Sequence, residues 1–223
     1  MDFWVRDWAG WTPELPSVDA AVPTLLRRRI SPLGQEALRA AWSLAESATS
    51  RIIGSSRHGE FRRTLSILED LAGQTEVSPA DFTLSVHHAL IGLLSIARGN
   101  RQGHTAIAAG EESFCCGLTE ALACLADTPD QPVVLLHYDE PLPEPFSHFE
   151  GALAAPEVLA LVLAAEGPGQ PFELSIDPVE TRTAPFSSQA MEFLKFLQTP
   201  ERRDLVCTGE RLQWHWRRRA TEN

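Results

Sequence analysis

Two adjacent cysteines, Cys115 and Cys116, follow the turn Gly110-Glu111-Glu112 and open a run with helical spacing. A thiol beside a helix N-terminus loses its proton more readily than a free one, so a strand-turn-helix carrying cysteine could present a nucleophile. With His87 or His88 as base, that chemistry would be acyl transfer or thioester hydrolysis. The turn, however, places both cysteines about one helical turn inside, where burial as small apolar side chains is the favoured reading. Glu111 and Glu112 occupy the helix start instead, and the free N–H groups there stabilise a carboxylate. Simple capping would account for them. Metal ligation finds little support. His87 and His88 are neighbours on a helix and point about 100° apart, while His58, His104, His137, His148 and His215 stand singly. No metal and no cofactor is expected.

The elements that would position these groups read as follows. Ser78-Pro79 is a helix entry, with a capping hydroxyl and proline at the first helical position. Val86, Leu90 and Leu94, with Ile91 and Ile96, continue one helix that should be covered on most sides. Arg98-Gly99 ends it. His104 to Ala109 reads as a short buried strand. A helix of about 16 residues then carries Phe114, Leu118, Ala121, Leu122 and Leu125. Pro132 to Leu136 reads as a strand buried on both faces. Upstream, a helix from Gly34 to Ser50 and one from Gly59 to Leu71 flank the strand Arg51 to Gly54. The polar loop Ser55-Ser56-Arg57-His58-Gly59 lies after that strand, where ligands gather in an open α/β sheet. Downstream, Val158 to Leu163 and Phe172 to Ile176 around Gly167 suggest a hairpin. A helix from Ser187 to Gln198 and a last strand, Leu212 to Trp216, complete the chain. Helices and strands alternate, so the class is α/β.

The chain has 223 residues, 43% of them hydrophobic, enough for one core, and a single domain over residues 1–223 is expected. Trp4, Trp8 and Trp11 mark residues 1–30 as a segment anchored on the core, and residues 217–223 read as a frayed basic tail. A net charge of −11 argues against nucleic acid as a partner. The clusters Arg27-Arg28-Arg29 and Arg217-Arg218-Arg219 are local exceptions, either solvated surface or a docking patch for an acidic protein. Four cysteines without CxxC spacing suit a reduced, cytoplasmic setting. The start MDFWVRDW is not a signal peptide, and no apolar run approaches about 18 residues, so no membrane span is expected.

The run SPADFTLSVHHALIGLLSIARG resembles the segment of β-ketoacyl synthases that leads to their nucleophile elbow, and DQPVVLLHYDE (Asp130 to Glu140) matches the strand after it. The resemblance is stronger to a short, divergent branch, the β-ketoacyl synthase N-terminal-like proteins, which include chain-length-factor subunits of aryl polyene and related type II polyketide systems. LLRRRISPLG (Leu25 to Gly34), SSRHGEF (Ser55 to Phe61), SVHHA (Ser85 to Ala89) and YDEPLPE (Tyr138 to Glu144) carry it, over residues 4–216. His88 departs from the asparagine usual there. The resemblance implies a thiolase-like fold, mainly the N-terminal half of a ketosynthase, with a mixed sheet covered by helices. Glu112 then falls, within one or two positions, where those enzymes hold the catalytic cysteine. Their two catalytic histidines lie in a second half for which this chain has no room. Condensation needs a thiolate and those histidines, so the resemblance implies a subunit that is not a condensing enzyme by itself. Its expected role is a non-catalytic chain-length factor for fatty-acid or polyketide assembly, in a heterodimer with a full-length β-ketoacyl synthase. By the same analogy Phe82, with Leu84 and His88, would face the partner and its acyl tunnel, and Arg27, Arg28 and Arg29 would dock an acyl carrier protein. An autonomous cysteine-dependent acyltransferase or thioesterase, and a purely stabilising scaffold, are the alternatives.

Overall fold

A computed structural model describes residues 1–149, 153, 155–179 and 188–220. Its centre is a pair of strands written almost wholly in apolar residues, β4 (Val133–Asp139) and β5 (Glu157–Ala164), buried along their whole lengths. Strands that read this way need cover on both faces. The cover comes from α2 (Pro32–Ser43) and α5 (His88–Arg98) on one face, and from α6 (Ser113–Asp127) and α7 (Gln189–Gln198) on the other.

Around that pair runs a mixed eight-stranded sheet. The remaining strands are β1 (Asp2–Trp11), β2 (Arg51–Ser55), β3 (His104–Ile107), β6 (Gln170–Pro178), β7 (Asp204–Thr208) and β8 (Leu212–Arg218), in the order β3-β2-β4-β5-β1-β6-β8-β7. Strands β3, β2 and β4 are parallel, and the rest pair antiparallel. The parallel trio is built by two crossovers, one ending in α5 and one made by α6, on opposite faces of the sheet.

Several expectations require correction. Within the N-terminal segment Asp2–Trp11 is a central strand of the sheet, which the sequence reading does not identify. It escaped notice because its register slips between Val5 and Asp7. Phe3 and Val5 face the layer of α6 and α7, whereas Ala9 and Trp11, also odd-numbered, face α2 and α5. A bulge of this kind flips the phase of alternation that identifies a strand. Strand β1 also lies between β5 and β6, so those two do not form the expected hairpin. The start of the basic tail is not frayed. Arg217 and Arg218 belong to β8, and the buried Arg218 donates to the Phe196 carbonyl with its guanidinium over the Phe172 and Phe196 rings. Residues 221–223, its end, lie outside the described residues, as does Ser187 at the expected start of α7.

The run from Ser78 is two helices, α4 (Pro79–Ser85) and α5, meeting at 95°. Ser78 caps α4 as expected, accepting from the Asp81 N–H, and Gly99, at φ 65°, closes α5. Between them Val86 is extended, which breaks the helix. Cover is also less than expected, since α5 buries Leu90, Ile91 and Leu94 while Ile96 is 80% exposed. Helix α3 (Phe61–Ala72) packs on α4, and neither contains a single buried residue. Strand β3 is half-buried at the sheet edge, not buried. No single helix among the described residues is long and apolar enough to cross a membrane.

Candidate functional site

The carboxyl ends of β2 and β4 and the N-terminus of α6 meet at one place, and the loop Ser55 to Gly59 lies in it, as the sequence implied. Asp139, at the end of β4, organises that loop. Its carboxylate accepts from Ser56 Oγ (3.0 Å), from the Arg57 N–H (2.8 and 3.0 Å) and from the His58 N–H (3.3 Å). Ser56 Oγ in turn accepts from the Gly59 N–H at 2.7 Å. A carboxylate gathering main-chain donors holds a loop in one shape. Arg57 is thereby aimed at Glu111 (3.0 Å) and at the Phe149 carbonyl (3.2 Å).

Beneath this loop lies a buried network that sequence reading missed. His137 Nδ1 is 3.0 Å from Ser55 Oγ, and its Nε2 is 3.3 Å from Glu157 and 3.7 Å from Asp139. Glu157 also accepts from Ser188 Oγ at 2.5 Å, tying the start of α7 to the sheet. Because carboxylates only accept, Nε2 carries the proton, and Nδ1 is left to bond Ser55. The signal was available: His137 and Asp139 stand two apart in an otherwise apolar strand and share a face, and Asp139 pairs in register with Glu157.

Serine, histidine and glutamate in contact have the composition of a hydrolytic triad, but the geometry denies that role. Ser55 is buried beneath α6, and a Cβ at Gly117 would come within 2.6 Å of its own Cβ. The adjoining cavity, lined by Arg57, Glu111, Ser113, His137, Asp139 and Glu157, measures about 40 Å³, room for about one water rather than an acyl chain. The network holds strands β2, β4 and β5 together.

The elbow residues take different partners from those expected. Gly110, at φ 58°, makes the turn into α6. Glu112 is the residue at the helix N-cap, but neither glutamate side chain bonds the free N–H groups there. Glu111 pairs with Arg57, and Glu112 reaches away to the β7–β8 turn, accepting from the N–H groups of Glu210 (2.6 Å) and Arg211 (3.2 Å). The Cys115 N–H donates to Gln189 Oε1 at 3.3 Å. Burial pushes the Cys115 thiol well up from its ordinary value, and its contact with Cys207 adds to this. Cys116 is raised by burial and then by Glu112. A raised pKa keeps a thiol protonated and unreactive.

His87 and His88 do not join the cysteines. They begin α5 on the opposite face of the sheet, His87 beside the Arg57 carbonyl (3.4 Å) and His88 against His104, ring centroids 5.4 Å apart. Phe82 is 65% exposed on α4, with Leu84 half-buried beside it. Arg28 and Arg29 are exposed after the short helix α1 (Thr24–Arg27), and Arg27 bonds Thr24 Oγ1 at 3.2 Å. The arginine cluster thus adjoins the arm of α3 and α4, Arg63 of α3 donating to the Arg29 carbonyl at 2.6 Å, while the turn at Gly110 is held by other contacts.

The sequence profile of the β-ketoacyl synthase N-terminal domain matches residues 4–217. No curated protein matches the chain in sequence. Among solved structures, the chain resembles one described as the ketosynthase ApeO in complex with its chain length factor ApeC, from Xenorhabdus doucetiae, with a TM-score of 0.84 and 25% identity over 98% of this chain and 100% of that one. A complex of the type II polyketide ketosynthase AntDE with its acyl carrier protein AntF gives a TM-score of 0.59 at 12% identity, over 80% of this chain and 69% of that one. A β-ketoacyl synthase from Burkholderia phymatum STM815 gives 0.57 at 14%, over 76% and 53%. These last two likenesses concern the fold.

Proposed function

From the premise that the chain belongs to the β-ketoacyl synthase N-terminal domain family, with its thiolase-like mixed sheet between helices, we propose that it is a non-catalytic chain-length-factor subunit. It pairs with a full-length β-ketoacyl synthase in the cytoplasm, in fatty-acid or polyketide assembly of the aryl polyene type. One observation carries this reading: α3 and α4 bear Leu65, Ile67, Leu68, Leu71, Phe82 and Leu84, yet bury none of them. A strongly amphipathic helix pair without a core to cover is stable only against something else. The same flank of the molecule ends in β3, an edge strand whose outer row of main-chain groups pairs with no other strand among the described residues and which an extended partner backbone would satisfy. The arm and the edge together form the surface for the partner, and Phe82, exposed on α4, is the side chain that limits the partner's acyl tunnel. Arg28 and Arg29 offer cations to an acidic acyl carrier protein. The protonated thiols and the water-sized cavity support a subunit without its own condensing chemistry.

Co-expression with the β-ketoacyl synthase encoded nearest to it, followed by size-exclusion chromatography and product analysis, tests the proposal. A stable 1:1 complex is expected whose activity survives Cys115→Ala with Cys116→Ala, and whose product lengthens with Phe82→Ala. A complex with unchanged product length would reduce the chain to a stabilising scaffold. A lone monomer with thiols that alkylate rapidly near neutral pH would overturn the reading in favour of an autonomous enzyme.

A further inference from the structure

His104 opens β3, and its ring is turned to α5 rather than to the opposite layer. The phase of the strand fixes this, because Ala106 packs with the layer of α5 while Ile107 packs with that of α6. Ser95 Oγ lies 3.3 Å from His104 Nδ1, and the His88 ring stands at 5.4 Å, tilted by 54°. A Cβ on Gly92 would lie 3.9 Å from His104 Nε2, an ordinary contact, so the ring lies over this turn of α5. His88 is exposed and His104 half-buried, both at the sheet's free edge.

Few charges surround this pair. On α5, Arg98 turns away to the carbonyls of Leu44 and Ala45 and covers the Trp42 ring. On α4, Asp81 is engaged by Arg63. On β2, Arg51 lines a groove with Glu120, Cys124 and Asp127 of α6, and α6 lies across the sheet from α5. Burial, and then His88, both hold the His104 imidazole below its ordinary value, and no carboxylate among the described residues counters them. Two imidazoles in contact without an acidic neighbour tolerate each other while neutral and repel when both are charged. Covering them with another subunit strengthens that preference, since a charged ring would lose its water.

We propose that His88 and His104 form a proton-sensitive lock on assembly: the partner subunit joins over this edge while both rings are neutral, and protonation loosens it. This rests on the heterodimer reading above. Each ring has a lower proton affinity in the complex than in the free subunit, so association releases protons. Affinity is therefore full at pH values above those of the free rings and falls as pH drops through their titration.

Sedimentation velocity of the purified complex with its β-ketoacyl synthase, at about pH 8 and about pH 5.5, tests the lock. The wild-type Kd is expected to weaken by about tenfold or more on acidification, the change that follows when burial under the partner lowers each ring's proton affinity about tenfold. His88→Asn with His104→Asn should flatten the change to about threefold or less, leaving only the remaining histidines and the partner's own groups. His88→Asn alone, at an exposed position that leaves the fold intact, should remove part of it. A wild-type complex equally tight at both pH values, or a double variant with the full wild-type slope, overturns the lock while the heterodimer stands. No complex at any pH overturns the heterodimer, and the lock with it.

Discussion

Tyr138, the chain's one tyrosine, donates its buried hydroxyl to the main-chain carbonyl of His87, 3.3 Å away. The bond joins β4, a strand buried along its whole length, to the hinge between α4 and α5. His87 extends the clamp, its ring close to Gly59 and its Nε2 beside the Arg57 carbonyl. The angle at which the arm leaves the body is set here. Tyr138→Phe removes one hydroxyl and leaves the ring packing intact. It should cost about 1 kcal/mol of stability, as one neutral hydrogen bond does. Hydrogen exchange should localise the change, with faster exchange over residues 78–88 and none in β4 or β5.

Glu112 links the elbow to the β7–β8 turn through two N–H groups, and Gly209 leaves the carboxylate room, since a Cβ there would collide with it. Glu112→Ala should destabilise the protein by about 1 kcal/mol by removing the acceptor of two solvent-exposed donors of the turn, and Glu112→Gln, which keeps an acceptor, should recover most of that loss. Denaturant titration of the three proteins measures both. Placing a thiol there with Glu112→Cys should add an alkylation site near the helix start without creating condensing activity, because no histidine among the described residues bonds the Glu112 side chain.

How far the sequence could be read depended on whether local pattern and tertiary pairing agreed. Strands β4 and β5 were visible as apolar runs because cover on both faces removes any polar alternation. Strand β1 was hidden by one bulge at Arg6, which divides its buried positions between opposite layers. The break between α4 and α5 left no glycine or proline at the bend, since Val86 turns the chain through extended backbone held by Tyr138 and Arg57, both distant in sequence. At the site, the loop Ser55 to Gly59 and the elbow at Gly110 were legible from position after a strand and before a helix. The partners of Glu111 and Glu112 were not, because Arg57, Glu210 and Arg211 reach them only through the sheet order.

Helix α6 lies against β2 so closely that Gly117 has Ser55 Cβ and Leu135 Cδ1 where its own Cβ would be, at 2.6 and 3.2 Å. Gly117→Ala must therefore push the helix off the strand, and would stretch the Ser55–His137 bond as it does. The expected loss is about 1–3 kcal/mol, the usual range for overpacking a tight core. Ser55→Ala should be milder, about 1 kcal/mol, and the pair combined should cost less than their sum, because removing Oγ relieves part of the collision. Additive losses in a double-mutant cycle would mean that the helix meets β2 elsewhere.

Glu60 gives a prediction for pH. It is buried at the start of α3, accepting from Ser31 Oγ at 2.8 Å and pairing with Arg63 at 3.3 Å. Burial raises its pKa above the ordinary carboxylate value, and Ser31 and Arg63 only partly oppose this. The folded chain therefore holds the Glu60 proton at a pH where the unfolded chain has released it. The resulting stabilisation is complete below the unfolded value and is lost as pH rises through the folded one. Glu60→Gln cannot ionise, so its stability relative to the parent should improve steadily as pH rises from about 4 toward neutrality. Thermal melting of both proteins across that range decides the matter. A difference that stays flat would show that Ser31 and Arg63 balance burial at this position, and one that runs toward the parent at higher pH would show that they outweigh it.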